Sequence, residues 1–186
     1  MSNSHVVDRP SEPTAAQLKE LFAQIESGRV TKENLQAFLR RQRPPLVLGA
    51  NVVYGRSIED LVLLGKYDLV DDQITSAHFP STKKGEKAIE FILVGFDRPE
   101  ETDDILHKLK YEGMRPATIK ELLALGASHP RLQREMNVAA LGSSWRFDDH
   151  DMVPCLMGAE DKRILRLITT KFNWKPFWRF AAIEIR

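Results

Sequence analysis

The chain has 186 residues, 42% hydrophobic and 28% charged, a length and balance that favour one domain with a sizeable core and room for a small helical appendage. Its 27 Lys and Arg nearly cancel 26 Asp and Glu, leaving +1, without the basic excess of a protein that grips nucleic acid through phosphates. A single cysteine, Cys155, excludes an intramolecular disulfide and a thiolate zinc site; with no signal-type segment at the start and no apolar run of membrane-spanning length, the expected location is the cytoplasm.

Residues 1–13 mix Ser, Asn, Pro and charge without periodicity and read as a flexible tail. Thr14 can cap a helix whose Leu18, Leu21, Phe22 and Ile25 line one stripe, with Gly28 as the stop. Thr31 then caps a second helix carrying Leu35, Phe38 and Leu39 and ended by Arg43 and Pro44, so the two predict a helical hairpin. A further helical turn opens at Ser57 and runs to Gly65, and 66–80 reads as irregular structure. Residues 14–87 therefore form a predominantly helical N-terminal segment in this reading.

From Ala88 the pattern changes. AIEFILVGF is rich in β-branched and aromatic residues and predicts a strand. Thr102 is expected to cap a helix holding Ile105, Leu106 and Leu109, stopped at Gly113; Thr118 and Glu121 form a capping box before Leu122, Leu123 and Leu125, with the helix ending at Gly126. After a helical turn within 130–136 come five short strands, NVAAL, SSWRF, MVPCLM, RILRLI and WRFAAIEI, separated by Gly, Asp and Lys turns. The fold class is α+β.

The second half carries a family resemblance. GMRPATIKELLAL resembles the R-L-P-T-x-x-E-L helix start of bacterial C-type-lectin-like domains, the formylglycine-generating (sulfatase-modifying) type among them. ALGSSW resembles their R-G-G-S-W turn and WRFAAIEI their closing G-F-R-v-v strand. The whole chain also resembles a family of small uncharacterised bacterial proteins. The resemblance implies a mainly antiparallel lectin-like α+β domain over 88–186, with the helical hairpin packed on it and the first and last strands, Ala88–Phe96 and Arg179–Ile185, paired antiparallel. It implies no catalysis, since Cys155 alone cannot supply the paired cysteines of the formylglycine-generating enzymes.

Chemistry-bearing residues are sparse. Asp148-Asp149-His150-Asp151 is the densest set of metal-capable side chains, but four consecutive residues in a turn point apart, so no metal is expected. Cys155 alternates with Val153 and Met157 on one strand face, which reads as a packing atom. Arg40, Arg41 and Arg43 close the second helix, where cations complement the helix dipole. Trp145, after a tight turn, reads as a ring sealing a strand junction. The candidate binding residues are Trp174, Phe177, Trp178 and Arg179 in NWKPFWR, together with Tyr54 and Arg56, because exposed aromatics beside cations mark binding surfaces. One tryptophan is expected to be buried and another ring exposed, the rings of Trp174 and Trp178 lying in different environments.

The functional expectation is a non-catalytic recognition module, without cofactor, for an unknown protein or small ligand. The alternatives are an enzyme using Asp149, His150 and Cys155, and a nucleic-acid-associated regulator acting through the N-terminal hairpin, which the near-zero net charge disfavours.

Overall fold

The computed structural model describes residues 14–31, 35, 46–159 and 161–185. The chain divides into two compact units, Met1–Pro44 and Pro45–Arg186. The expected tail, most of the second hairpin helix and its arginine run lie outside the described residues. In the first unit, α1 (Ala15–Glu26) begins as expected: the Thr14 hydroxyl accepts from the Gln17 amide while the Gln17 side chain accepts from the Thr14 amide.

The second unit is α+β. Its elements are β1 (Leu46–Val53), α2 (Ile58–Gly65), β2 (Leu69–Val70), β3 (Glu86–Val94), α3 (Thr102–Tyr111), β4 (Met114–Pro116), α4 (Ile119–Ser128), α5 (Leu132–Glu135), β5 (Asn137–Ala139), β6 (Trp145–Phe147), β7 (His150–Ala159), β8 (Lys162–Thr169) and β9 (Trp178–Glu184). The described strands form one sheet in the order β1-β3-β9-β5-β7-β8-β2, with β4 also on β9 and β6 on β7. β3 and β9 pair antiparallel, Ile92 opposite Ala182 and Val94 opposite Phe180, as the sequence predicts.

Two expectations are corrected. The sheet is mixed rather than mainly antiparallel, because β5 runs parallel to β9 and β2 parallel to β8. Long excursions separate the members of each parallel pair, and only a long connection can return a chain in the same direction. The sheet-containing unit also starts at Pro45 rather than at residue 88, since Leu46–Val53, an uncharged run with three valines, pairs along its whole length with β3.

Alternation on the central strands sorts side chains into two cores. On β9, Ala181 and Ile183 face a core with Phe91, Leu122, Leu125 and Leu156, covered by α2 and α4. Trp178, Phe180 and Ala182 face the other core, with Ile105 and Leu109 of α3, Val153 and Cys155. Burial on both faces at about 1.5–3 kcal/mol per large apolar side chain makes these strands the main source of cohesion. Val153, Cys155 and Met157 share a face, as their spacing predicts.

Two glycines are set by close approach. Gly126 lies inside α4 rather than ending it, because the Tyr67 hydroxyl and Leu156 occupy the space a Cβ would need. Gly158 lies against the backbone of Gln133, which leaves no room for any side chain. Beside these contacts, Arg163, only 9% exposed, donates to the carbonyls of Gly65 and Lys66 at the end of α2, to Gly126 O of α4 at 2.6 Å, and to Gln133 Oε1 at 3.1 Å. A guanidinium suits this position because its planar fork serves several acceptors and its charge complements two helix C-terminal ends.

Candidate functional site

The candidate binding residues fall into two separate places. The first surrounds Tyr54, which follows β1. IKELLALGAS, the sequence of α4, is apolar apart from Lys120, Glu121 and the terminal Ser128, and a helix apolar on nearly all sides is buried. Both charges are buried with it: Lys120 is 8% exposed and Glu121 fully enclosed. Glu121 therefore needs donors, and it has four. Its Oε1 accepts the Tyr54 hydroxyl at 2.5 Å and Arg115 Nη2 at 2.8 Å; its Oε2 accepts Arg115 Nη1 at 3.0 Å and the Thr118 amide at 2.7 Å. The last of these is one half of the predicted capping box, and both halves are present.

Burial alone would raise the Glu121 pKa. The hydrogen bonds from Arg115, Thr118 and Tyr54, with the Arg115 charge, outweigh it and hold the carboxyl at about 2. Tyr54 is pushed up to about 12, first by burial and then by its bond to Glu121. A carboxylate with both oxygens engaged by four donors has neither a proton to give nor a free lone pair to take one, so this cluster is no acid–base pair.

Cations crowd the same tyrosine. Lys83 Nζ lies 4.9 Å from the centre of the Tyr54 ring and 3.9 Å from Glu121 Oε1. Lys120 Nζ donates to the carbonyls of Tyr54 at 2.6 Å and Arg56 at 2.8 Å. The Arg56 side chain is exposed. Composition alone picks out Tyr54 and Arg56 but misses Lys83, Arg115, Lys120 and Glu121. The legible signal is the pair of charges inside an otherwise apolar helix.

The second place is the C-terminal aromatic segment. Here the expectation about the tryptophans is corrected: Trp174 and Trp178 are both buried and share one environment, their rings meeting edge to face at 4.9 Å. A turn closed by the Trp178 amide on Lys175 O folds the chain back across Pro176, bringing residues four apart onto one side. Phe172 and Phe180 complete the cluster. Trp174 Nε1 donates to Thr102 Oγ1 at 2.8 Å, and Thr102 donates to Thr170 O at 2.6 Å. Thr102 is thus a buried connector rather than the expected helix cap, a place that Glu101 takes. Phe177, at the outer side of the turn, is 58% exposed and leans on Trp178 at 6.2 Å. Arg179 folds back to donate to the carbonyls of Pro176 and Trp178, its guanidinium filling the space over Gly95.

Asp149, His150 and Cys155 do not converge. Asp148 and Asp149 form the tip of the β6–β7 hairpin, where Arg146 pairs with Asp151 at 3.3 Å and lies 3.9 Å from Asp149. Cys155 lies five residues beyond His150 on the strand, about 17 Å at roughly 3.4 Å per residue. It is fully buried, and burial pushes its thiol up. Among the described residues, no group of three or more His, Cys, Asp or Glu side chains is placed to hold a metal ion. Trp145 is half-buried and stacked on His78 at 4.1 Å, with the Phe147 ring tilted beside it at 5.3 Å. Among the described residues, no helix is long and apolar enough to cross a membrane.

Compared with protein-family models, curated proteins and solved structures, the chain matches none.

Proposed function

We propose that this chain is a non-catalytic recognition module that presents Phe177 to a partner. The observation that carries this reading is the contrast within one turn: Phe177 is 58% exposed, while the two tryptophans behind it are at 1% and 2%. A large apolar ring held outward by a rigid, buried support is pre-organised for contact, since little side-chain freedom is left to lose on binding. Lys175 is exposed on the same turn and supplies a cation beside the ring. The candidate acid–base and nucleophilic groups have other engagements, Glu121 with its four donors and Cys155 inside a core.

The C-type-lectin-like reading of the core belongs to the same proposal. It is supported by the antiparallel pairing of β3 with the closing strand β9 and by the strand, helix, helix, short-strand order.

The test compares wild-type chain with Phe177→Ala, each immobilised and exposed to extract of the native host, with mass spectrometry of what is retained. A partner held by wild type and lost by the variant, at an unchanged denaturant midpoint, is the expected outcome. Retention at full strength by the stable variant removes the reading.

A further inference from the structure

The two ends of the sheet differ. At one end β2 is two residues long, the kind of short edge by which sheets avoid pairing with other chains. At the other end β1 runs for eight residues, LVLGANVV, and among the described strands it pairs only with β3. The strand holds no charge and no proline, and its unbroken register with β3 leaves no bulge, so the usual protections of an edge are missing from it. Leu46 and Val47 are 41% and 49% exposed.

The register decides which main-chain groups face outward. The Tyr54 amide donates to Gly85 O just past the end of the ladder, and in an antiparallel pair the inward-facing residues alternate. Val52, Ala50, Leu48 and Leu46 therefore bond β3, while Val47, Gly49, Asn51 and Val53 turn N–H and C=O toward the open edge. Two of these outward carbonyls have partners: Val53 O accepts the Arg56 amide, and Gly49 O accepts His129 Nε2 at 2.8 Å. Among the described hydrogen bonds, none uses the main-chain N–H or C=O of Val47 or Asn51, or the N–H of Gly49.

Gly49 is a second, independent observation. A Cβ there would meet nothing within 4 Å, and its backbone is not left-handed. The folded chain thus has no need of a glycine in the middle of this strand, where glycine weakens pairing. A glycine so placed marks the close approach of another backbone.

We infer that β1 is a homodimer interface, pairing antiparallel with β1 of a second copy about a two-fold axis at Gly49 and joining two sheets into one. In this register Val47 of one copy lies opposite Asn51 of the other, and the unused N–H and C=O of each are satisfied by exchange. Gly49 meets its own counterpart on the axis, where its carbonyl has a second lone pair beside the one that His129 uses. A second copy fits better than a strand of another protein, because the unused groups stand symmetrically about Gly49. An uncharged strand also meets no like charge in its own copy. One strand pair is a small interface, so the dimer is weak and concentration-dependent. The interface is distinct from the Phe177 surface and does not depend on it.

The experiment follows the full chain by sedimentation velocity and by amide hydrogen exchange, at low and high protein concentration. The expected result is a dimer that grows with concentration, with exchange at Val47, Gly49 and Asn51 slowing in step. Leu48, Ala50 and Val52, already bonded to β3, should stay protected throughout. Val47→Pro removes an outward N–H and spares the β3 ladder, so it should weaken the dimer about tenfold through the loss of its interchain donors. Gly49→Lys, placed in open space, sets like charges on the axis and should also weaken it. Phe177→Ala should leave it unchanged. A chain that stays monomeric at every concentration would overturn the assignment. So would a dimer of full strength in Val47→Pro, or one whose Val47, Gly49 and Asn51 amides exchange as fast as the monomer's.

Discussion

The Tyr54 hydroxyl donates to Glu121 Oε1 at 2.5 Å across a separation of 67 residues, tying the turn after β1 to the first turn of α4. Tyr54→Phe removes one donor and leaves Arg115 and the Thr118 amide in place, so a loss of about 1–2 kcal/mol is expected. Glu121→Gln should cost more, about 2–3 kcal/mol, because the partly exposed Arg115 guanidinium loses its counter-charge. Urea midpoints of both variants and their double mutant measure the coupling; strictly additive losses would show that the two groups are not linked.

Glu121 also sets an acid response. Its folded-state pKa, at about 2, lies below the ordinary 4.5, so its contribution is fully present above about 4.5 and is lost as pH falls toward 2. Those values correspond to about 3 kcal/mol. Glu100, held low by Lys108 and Arg98, weakens in the same direction, so the informative measurement is the difference between wild type and Glu121→Gln. Their urea midpoints should converge as pH drops; a constant gap down to about pH 2 would exclude this account.

In the aromatic cluster, Trp174→Ala and Trp178→Ala should each cost about 3–5 kcal/mol through cavity formation, while Phe177→Ala should stay within ~0.5 kcal/mol. Because the two indoles touch, the double tryptophan variant should lose less than the sum of the singles. Denaturant midpoints decide it, and a Phe177→Ala loss comparable to either tryptophan would mean that the exposed ring is structural.

Arg163→Lys should destabilise by about 2–4 kcal/mol despite keeping the charge, since an ammonium cannot reach Gly65, Gly126 and Gln133 together. A wild-type thermal midpoint for this variant would show that the fork geometry is dispensable.

Cys155 should resist thiol reagents in the folded chain and react fully once denatured, because it is enclosed and its thiol is held protonated. Fast labelling under native conditions would place it at an opening the static packing does not contain.

Local patterns made much of the fold legible. Alternation in MVPCLM puts Val153, Cys155 and Met157 on one face, AIEFILVGF reads as a strand, and Thr14 and Thr118 cap helices as their spacing predicts. Each depends on residues within a few positions of one another, so chain order suffices to find it. Thr102 was misread for the same reason: its hydroxyl meets Trp174 and Thr170, both about seventy residues away, and that competition draws it from the helix cap.

The candidate site was only half legible. An aromatic and a cation close in sequence drew notice to Tyr54 and Arg56, but Glu121, Arg115, Lys120 and Lys83 come from other segments and meet only when α4 packs against β1.

By itself, the amino-acid order determined the strand at Ala88–Phe96, the shared face of Val153, Cys155 and Met157, the helix starts at Thr14 and Thr118 and the absence of an intramolecular disulfide, because propensity, capping and side-chain alternation act over short stretches. Tertiary structure alone decided that the sheet is mixed, that two tryptophans four residues apart share one core, and that the buried Glu121 carboxylate meets Tyr54 and Arg115. Those outcomes depend on which distant segments dehydrate together. The cost of burying a charge without a partner then selects the contacts that form.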